Sequence, residues 1–181
     1  PAPGLWDGHL EAQPDGSFTR VLAGEHVPLA VPASQRVELQ ALLGLRDAAK
    51  ELLSAEADSI EDTDATRALR DGLASRYSAY SARYGPINRF ILRSTGRTDP
   101  DSGEPRMARV VPRVMHTLRS DPFAPLVMAL ESFDETTQTA LPATMLTQRT
   151  LVARTPVLGV DSADEALAVC LEANGRVDLD H

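Results

Sequence analysis

One cysteine and one lysine occur in 181 residues, and aromatic side chains make up only 4% of them. A lone thiol, Cys170, cannot staple the fold internally, which agrees with a reducing compartment. With so few aromatic rings the core must rest on Leu, Val and Ala. No uninterrupted apolar stretch approaches the roughly 18 residues of a membrane-crossing helix, and the start lacks the charged and apolar regions of a signal peptide. The chain is therefore expected to be soluble and cytoplasmic, with no membrane partner. It begins at Pro1 and closes on Gly175–His181 after a helix stop, so both ends read as those of a fragment.

The signatures of chemistry are equally sparse. Phosphate-cradling glycine loops are missing, as is the Gly-x-Ser-x-Gly turn that exposes a nucleophilic serine. His9, His26, His116 and His181 lie far apart and form no ligand pair of metal-binding spacing. Cys170 falls on the apolar face of an expected helix, where a free cysteine acts as a small hydrophobe. The carboxylate pairs Asp62/Asp64 and Asp134/Glu135 lie in polar, loop-like surroundings without the unequal environments that acid–base work requires. No catalytic, cofactor-binding or metal-ligating residue is expected, and the chain is not expected to be an enzyme.

The pattern that is present predicts a mainly α fold with minor β (α+β). An N-terminal unit over 1–33 reads as a β-hairpin, His9–Ala12 and Ser17–Leu22 around the turn Pro14-Asp15-Gly16, followed by a Pro-rich lead-in in which Gly24 and Pro28 to Pro32 interrupt regular structure. A helical domain over 34–181 follows. Ser34 is expected to cap a helix whose apolar residues Leu39, Leu42, Leu43, Leu45, Ala49, Leu52 and Leu53 recur near every 3.6 positions to about Glu56. After the acidic break Asp58 to Asp64, Leu69, Leu73, Tyr77, Tyr80 and Tyr84 mark a second helix stopped by Gly85-Pro86. A short loop between two helices predicts an antiparallel helical hairpin. Further helices are expected after Asp121-Pro122, with Asp121 as cap and Leu126, Val127, Leu130 and Phe133 buried. The last is expected after the capping box Ser162-Ala163-Asp164-Glu165, ending at Asn174-Gly175. A short strand is expected at Leu146 to Val152.

Net charge is −8, yet from Arg83 to Arg119 eight arginines face three acids, leaving +5 there and −13 on the remainder. Gly96, Pro100, Gly103, Pro105 and Pro112 predict an extended loop at about 88–119, with a short edge strand within Met107 to Val114. Arginine binds phosphate bidentately, so Arg89, Arg93, Arg97, Arg106, Arg109 and Arg113 are the candidate contacts to a nucleic-acid backbone. The competing expectation is that these arginines solvate the loop or pair with the acidic helices, because a chain with one lysine uses arginine as its default cation.

Several phrases carry a resemblance. They are Leu45-Arg46-Asp47-Ala48, Tyr84-Gly85-Pro86-Ile87-Asn88-Arg89-Phe90, and Arg119-Ser120-Asp121-Pro122-Phe123-Ala124-Pro125-Leu126. Ala129-Leu130-Glu131-Ser132-Phe133-Asp134 continues the series, and Ala166–Leu171 with Gly175–Leu179 closes it. In order and spacing, from about Leu42 onward, these resemble a segment of the very large adenine-specific DNA methylase and helicase proteins of bacteria, especially actinobacteria, often encoded on mobile elements. The sequence departs where an Ile-Phe pair would precede an arginine, having Met145-Leu146 ahead of Arg149. Asp121-Pro122-Phe123 also resembles the Asp/Asn-Pro-Pro-aromatic motif of amino-methylating DNA enzymes, but the second Pro is displaced to Pro125 and no nucleotide-binding Gly loop precedes it. The resemblance implies a non-catalytic accessory or connector segment outside the motor and methyltransferase cores. Its partners would be the rest of the parent polypeptide and DNA. The alternative is a protein–protein or interdomain docking module with no nucleic-acid contact.

Overall fold

The computed structural model describes residues 6–151. The expected capping box at Ser162, the helix bearing Cys170 and its stop at Asn174-Gly175 lie outside the described residues. The described part is a mixed α+β fold with four helices and seven strands in three small antiparallel sheets.

The chain opens with β1 (Leu10–Ala12), β2 (Phe18–Leu22) and β3 (Glu25–Leu29), in the order β1-β2-β3. The Pro14-Asp15-Gly16 turn joins the first two strands as expected, with the Asp15 carboxylate accepting the Ser17 amide at 2.9 Å. The third strand overturns the expectation that Gly24 and Pro28 interrupt regular structure. Leu22 pairs with Glu25 across Ala23 and Gly24, whose φ values of 51° and 81° make the left-handed pair that a tight hairpin demands. Pro28 is tolerated because β3 is an edge strand, where a missing amide interrupts no central ladder. Leu10, Phe18 and Val31 are buried in the same core as the helices.

Helix α1 (Ala33–Ala57) starts one residue before the expected Ser34 cap. Pro32 occupies the cap position with its φ near the value the ring imposes, and no side chain bonds the free amides. The helix buries Leu39, Leu42, Leu43, Leu45, Ala49 and Leu52, each fully buried leucine contributing about 1.5–3 kcal/mol. Helix α2 (Asp64–Tyr84) is capped by Thr63, whose hydroxyl accepts the Thr66 amide, and is stopped by Gly85 at φ 82°. Glu38, near the start of α1, meets Tyr80 near the end of α2, while Glu56 at the end of α1 meets Arg70 in α2. The pair therefore runs antiparallel.

Beyond Gly85 the expected loop is a regular ribbon. Strand β4 (Ile91–Thr98) pairs with β5 (Pro105–Val110), from Ile91 opposite Val110 to Thr98 opposite Pro105, with a register shift between Ser94 and Thr98. The apparent breakers are its punctuation. Gly96, at φ 72°, lies in the irregular stretch, Pro100 and Gly103 lie in the connecting turn, and Pro105 is the first residue of its strand. Pro112 does not sit in an edge strand; it caps α3 (Arg113–Leu118). Helix α4 (Ala124–Met128) follows, then the hairpin β6 (Glu131–Asp134) and β7 (Thr139–Pro142). Leu130 and Phe133 lie beyond α4, Leu130 buried and Phe133 half-buried in β6. The expected strand at Leu146 is instead the end of a 3-10 turn, Thr144–Leu146, and residues 147–151 form no strand. Buried Met145 and Leu146 face the core there, where the alternation of a strand would expose one of them.

Candidate functional site

Three buried carboxylates organise the body. Asp121, expected as the cap of the following helix, is not its cap: Phe123 holds that position with no side-chain cap bond, and Asp121 lies fully buried two residues earlier. One of its oxygens accepts the Phe123 amide at 2.8 Å, as a turn-starting aspartate does. The other takes the Leu10 amide at 2.8 Å and the Arg46 guanidinium at 2.5 Å. Arg46 is itself 2% exposed and donates to the Leu10 carbonyl at 2.6 Å. His9 Nδ1 lies 3.3 Å from the same carboxylate oxygen. Burial, helped by the Arg46 charge and opposed by Asp121, holds the His9 imidazole below its ordinary pKa. The cluster welds β1 to α1 and to the turn before α4.

Glu131 accepts the Tyr77 hydroxyl at 2.9 Å and the Asn88 amide at 2.8 Å, and burial together with that carboxylate pushes the Tyr77 phenol up. At the far end, burial of Glu56 opposes its ionisation. Hydrogen bonds from Arg70 and from the amides of Leu151 and Thr150 outweigh burial and hold Glu56 below the usual carboxylate range. Asp62 is held down to about 2, chiefly by hydrogen bonds from Arg70. These networks are anchors whose carboxylates bond groups of the chain itself, although the buried Arg70 Nε has no partner among the described residues.

The β4–β5 ribbon is different in kind, since every residue of both strands is exposed. Its root is fixed. The Phe90 amide donates to the Gln138 side chain at 3.3 Å, and Arg109 makes a two-pronged pair with Glu135 while its Cζ lies 4.6 Å over the Phe90 ring. Directly paired residues share a face, so Leu92, Arg109, Ser94 and Met107 line one side, and Ile91, Val110, Arg93 and Ala108 the other.

The six candidate arginines separate into two groups. Arg89 is committed to the body, donating to Glu38 at 2.5 Å, to Tyr80 at 3.1 Å and to the Pro86 carbonyl at 2.9 Å. Arg109 is taken by Glu135, and Arg106 lies 3.5 Å from Asp99 across the ribbon tip. Arg93, Arg97 and Arg113 have no ion pair among the described residues. Arg119, which was not among the six, stands with Arg113 and His116 on the exposed side of α3. The spacing of three between these basic residues was the sequence signal for that face.

A cleft of about 490 Å³ opens at the ribbon root, between β4–β5, α3 and β6. Phe90 and Phe133 stand in its wall with ring centroids 6.1 Å apart, and Arg109, His116 and Arg119 stand around it. Among the described residues no group of three or more His, Cys, Asp or Glu is arranged to hold a metal ion, and no helix is long and apolar enough to cross a membrane. No protein-family model matches the chain, and no curated protein or solved structure matches it.

Proposed function

We propose that this chain is a non-catalytic accessory or connector module of a large DNA-processing protein, and that it touches the nucleic-acid backbone through the β4–β5 ribbon and the exposed side of α3. The carrying observation is the ribbon itself, fixed at its root and exposed on both faces, with Arg93 and Arg97 unpaired among the described residues. Arg113 and Arg119 extend the basic surface along α3. A two-stranded ribbon is marginal alone in water, so one kept fully exposed calls for a use. A basic ribbon on an acidic body gives local attraction while the rest of the chain repels phosphate.

Four backbone contacts imply that the logarithm of duplex affinity falls with the logarithm of salt at a slope of about −3 to −4. Fluorescence anisotropy with a labelled duplex at several salt concentrations measures it. Replacing Arg93, Arg97, Arg113 and Arg119 together by alanine is expected to remove most of the binding and flatten the slope. A wild-type chain that binds neither duplex nor single-stranded DNA at low salt sinks the proposal.

The same ribbon exposes Ile91, Leu92, Met107 and Val110, which favours a second reading, docking against another part of the parent polypeptide with no nucleic acid. Retention of the parent's remaining segments on this chain after nuclease treatment, lost in Leu92→Asp/Met107→Asp, supports docking over backbone contact.

A further inference from the structure

We infer that the cleft at the ribbon root takes an unstacked base, so that the nucleic acid this chain prefers is single-stranded. This rests on the nucleic-acid reading above and adds a chemical class to it. The chain has four phenylalanines, and two of them, Phe90 and Phe133, are half-buried in the cleft wall while Phe18 alone of the four lies in the buried core. Aromatic rings are the largest apolar groups available, and a chain this poor in them gains most by burying them. Holding two at an opening forgoes that gain.

The flat surfaces on offer are the Phe133 ring and the guanidinium of Arg109, which is fixed over Phe90 at 4.6 Å and oriented by Glu135. Bases splayed from a single strand stack on such rings and guanidinium planes, whereas bases within a duplex hide their faces. Met115 and Met128 also line the cleft with adaptable apolar surface. Its volume of about 490 Å³ falls in the roughly 300–1,000 Å³ range of small-molecule sites. Arg119 and His116 stand at the opening with exposed side chains, where the phosphate attached to an inserted base would arrive. Arg119 makes no ion pair among the described residues. Apolar floor, flat walls and cationic rim together match a nucleotide better than a peptide, which has no obligatory anion beside its flat group.

The test compares the intact chain binding a short single strand, the duplex of the same sequence, and a single strand of equal length with abasic sites. The natural single strand is expected to bind at least about tenfold tighter than either. Phe133→Leu keeps apolar bulk and removes the flat face, and is expected to cost about five- to hundredfold in single-strand affinity while leaving duplex binding unchanged. Arg119→Ala, at an exposed position with no role in the core, is expected to reduce the single-strand salt slope by about 0.7. Equal affinity for the abasic strand, the natural strand and the duplex overturns the base-binding cleft and leaves backbone contact standing. No binding to any of the three overturns both. An intact Phe133→Leu preference for the natural single strand overturns the assignment of this cleft even if the variant is less stable.

Discussion

Replacing Asp121 by asparagine is the sharpest test of how this fold is held. The substitution keeps the shape and one carbonyl acceptor but removes the charge from a side chain with no solvent exposure. Arg46, 2% exposed, then keeps the Leu10 carbonyl at 2.6 Å and Asp47, whose side chain is 60% exposed and therefore screened. Breaking a buried pair by removing one partner costs about 3–5 kcal/mol, most of it the stranded charge. Because Asp47 remains, the lower end is expected, about 3 kcal/mol, or about 6–12 °C in Tm for a chain of this size. The double variant Arg46→Met/Asp121→Leu removes both charges in similar volume and is expected to recover at least half of the loss. Trp6, the only tryptophan, packs edge-on against Phe123 at 5.9 Å beside the cluster, so its fluorescence reports directly in urea titrations. A single variant within about 0.5 kcal/mol of wild type, the scatter of ordinary surface changes, would show that the pair is not a buried anchor. So would a double variant as unstable as the two single changes summed.

Three more expectations follow from the same geometry. Gly8→Ala places a Cβ 2.4 Å from the Ser120 carbonyl oxygen at a residue with φ 87°, so it is expected to destabilise by more than the about 1–2 kcal/mol of left-handed strain alone, whereas Gly16→Ala, with open space around it, costs only that strain; thermal melts compare the two. Asp62 has a folded pKa of about 2 against an ordinary 3.8, so its contribution is fully present above about pH 4 and is lost as pH falls towards 2; Asp62→Asn is expected to flatten the fall of Tm in that window, and an unchanged acid limb counts against the Arg70 contact. Glu56→Gln leaves Arg70 with Asp62 alone and weakens the acceptor for the Thr150 and Leu151 amides, so hydrogen exchange at those two amides is expected to rise at least tenfold, and unchanged protection would mean that Glu56 does not hold that segment.

The long helices were legible because apolar residues repeat at the helical period over many turns, leucines in α1 and Leu69, Leu73 and three tyrosines in α2, and because Gly85 supplies a stop that only a positive φ explains. Of the ribbon only part of β5 was legible, the short strand expected from Met107 onward; the rest was not, since periodicity reports a buried face and this ribbon has none, and its Gly and Pro residues look the same in sequence whether they break structure or punctuate a hairpin. Strand β3 was hidden by Ala23, a residue rarely placed at a left-handed turn position. The charged core is the more instructive case. Arg46 stands four after Leu42 and three after Leu43, on the apolar stripe of α1, and Glu56 stands four after Leu52. A charge on an apolar stripe must find a buried partner. That signal was available for Arg46 and Glu56, although nothing local names Asp121, 75 positions away, as the partner.

The three buried carboxylates share one habit: each accepts amides from a segment that regular structure alone would leave loosely held. Asp121 takes Leu10, Glu131 takes Asn88, and Glu56 takes Thr150 and Leu151. In a chain with few large aromatics to bury, these bonds substitute for core volume, because a satisfied buried carboxylate fixes direction as well as position. The consequence reaches the ribbon. Asn88 is held through Glu131, Phe90 through Gln138, and Arg109 through Glu135, so the strand entering the ribbon is gripped at alternate residues and the returning strand once. The root of both strands is therefore tied beside the cleft between α3 and β6. The Arg106–Asp99 pair at the tip lies away from these ties, so its loss leaves the root contacts intact.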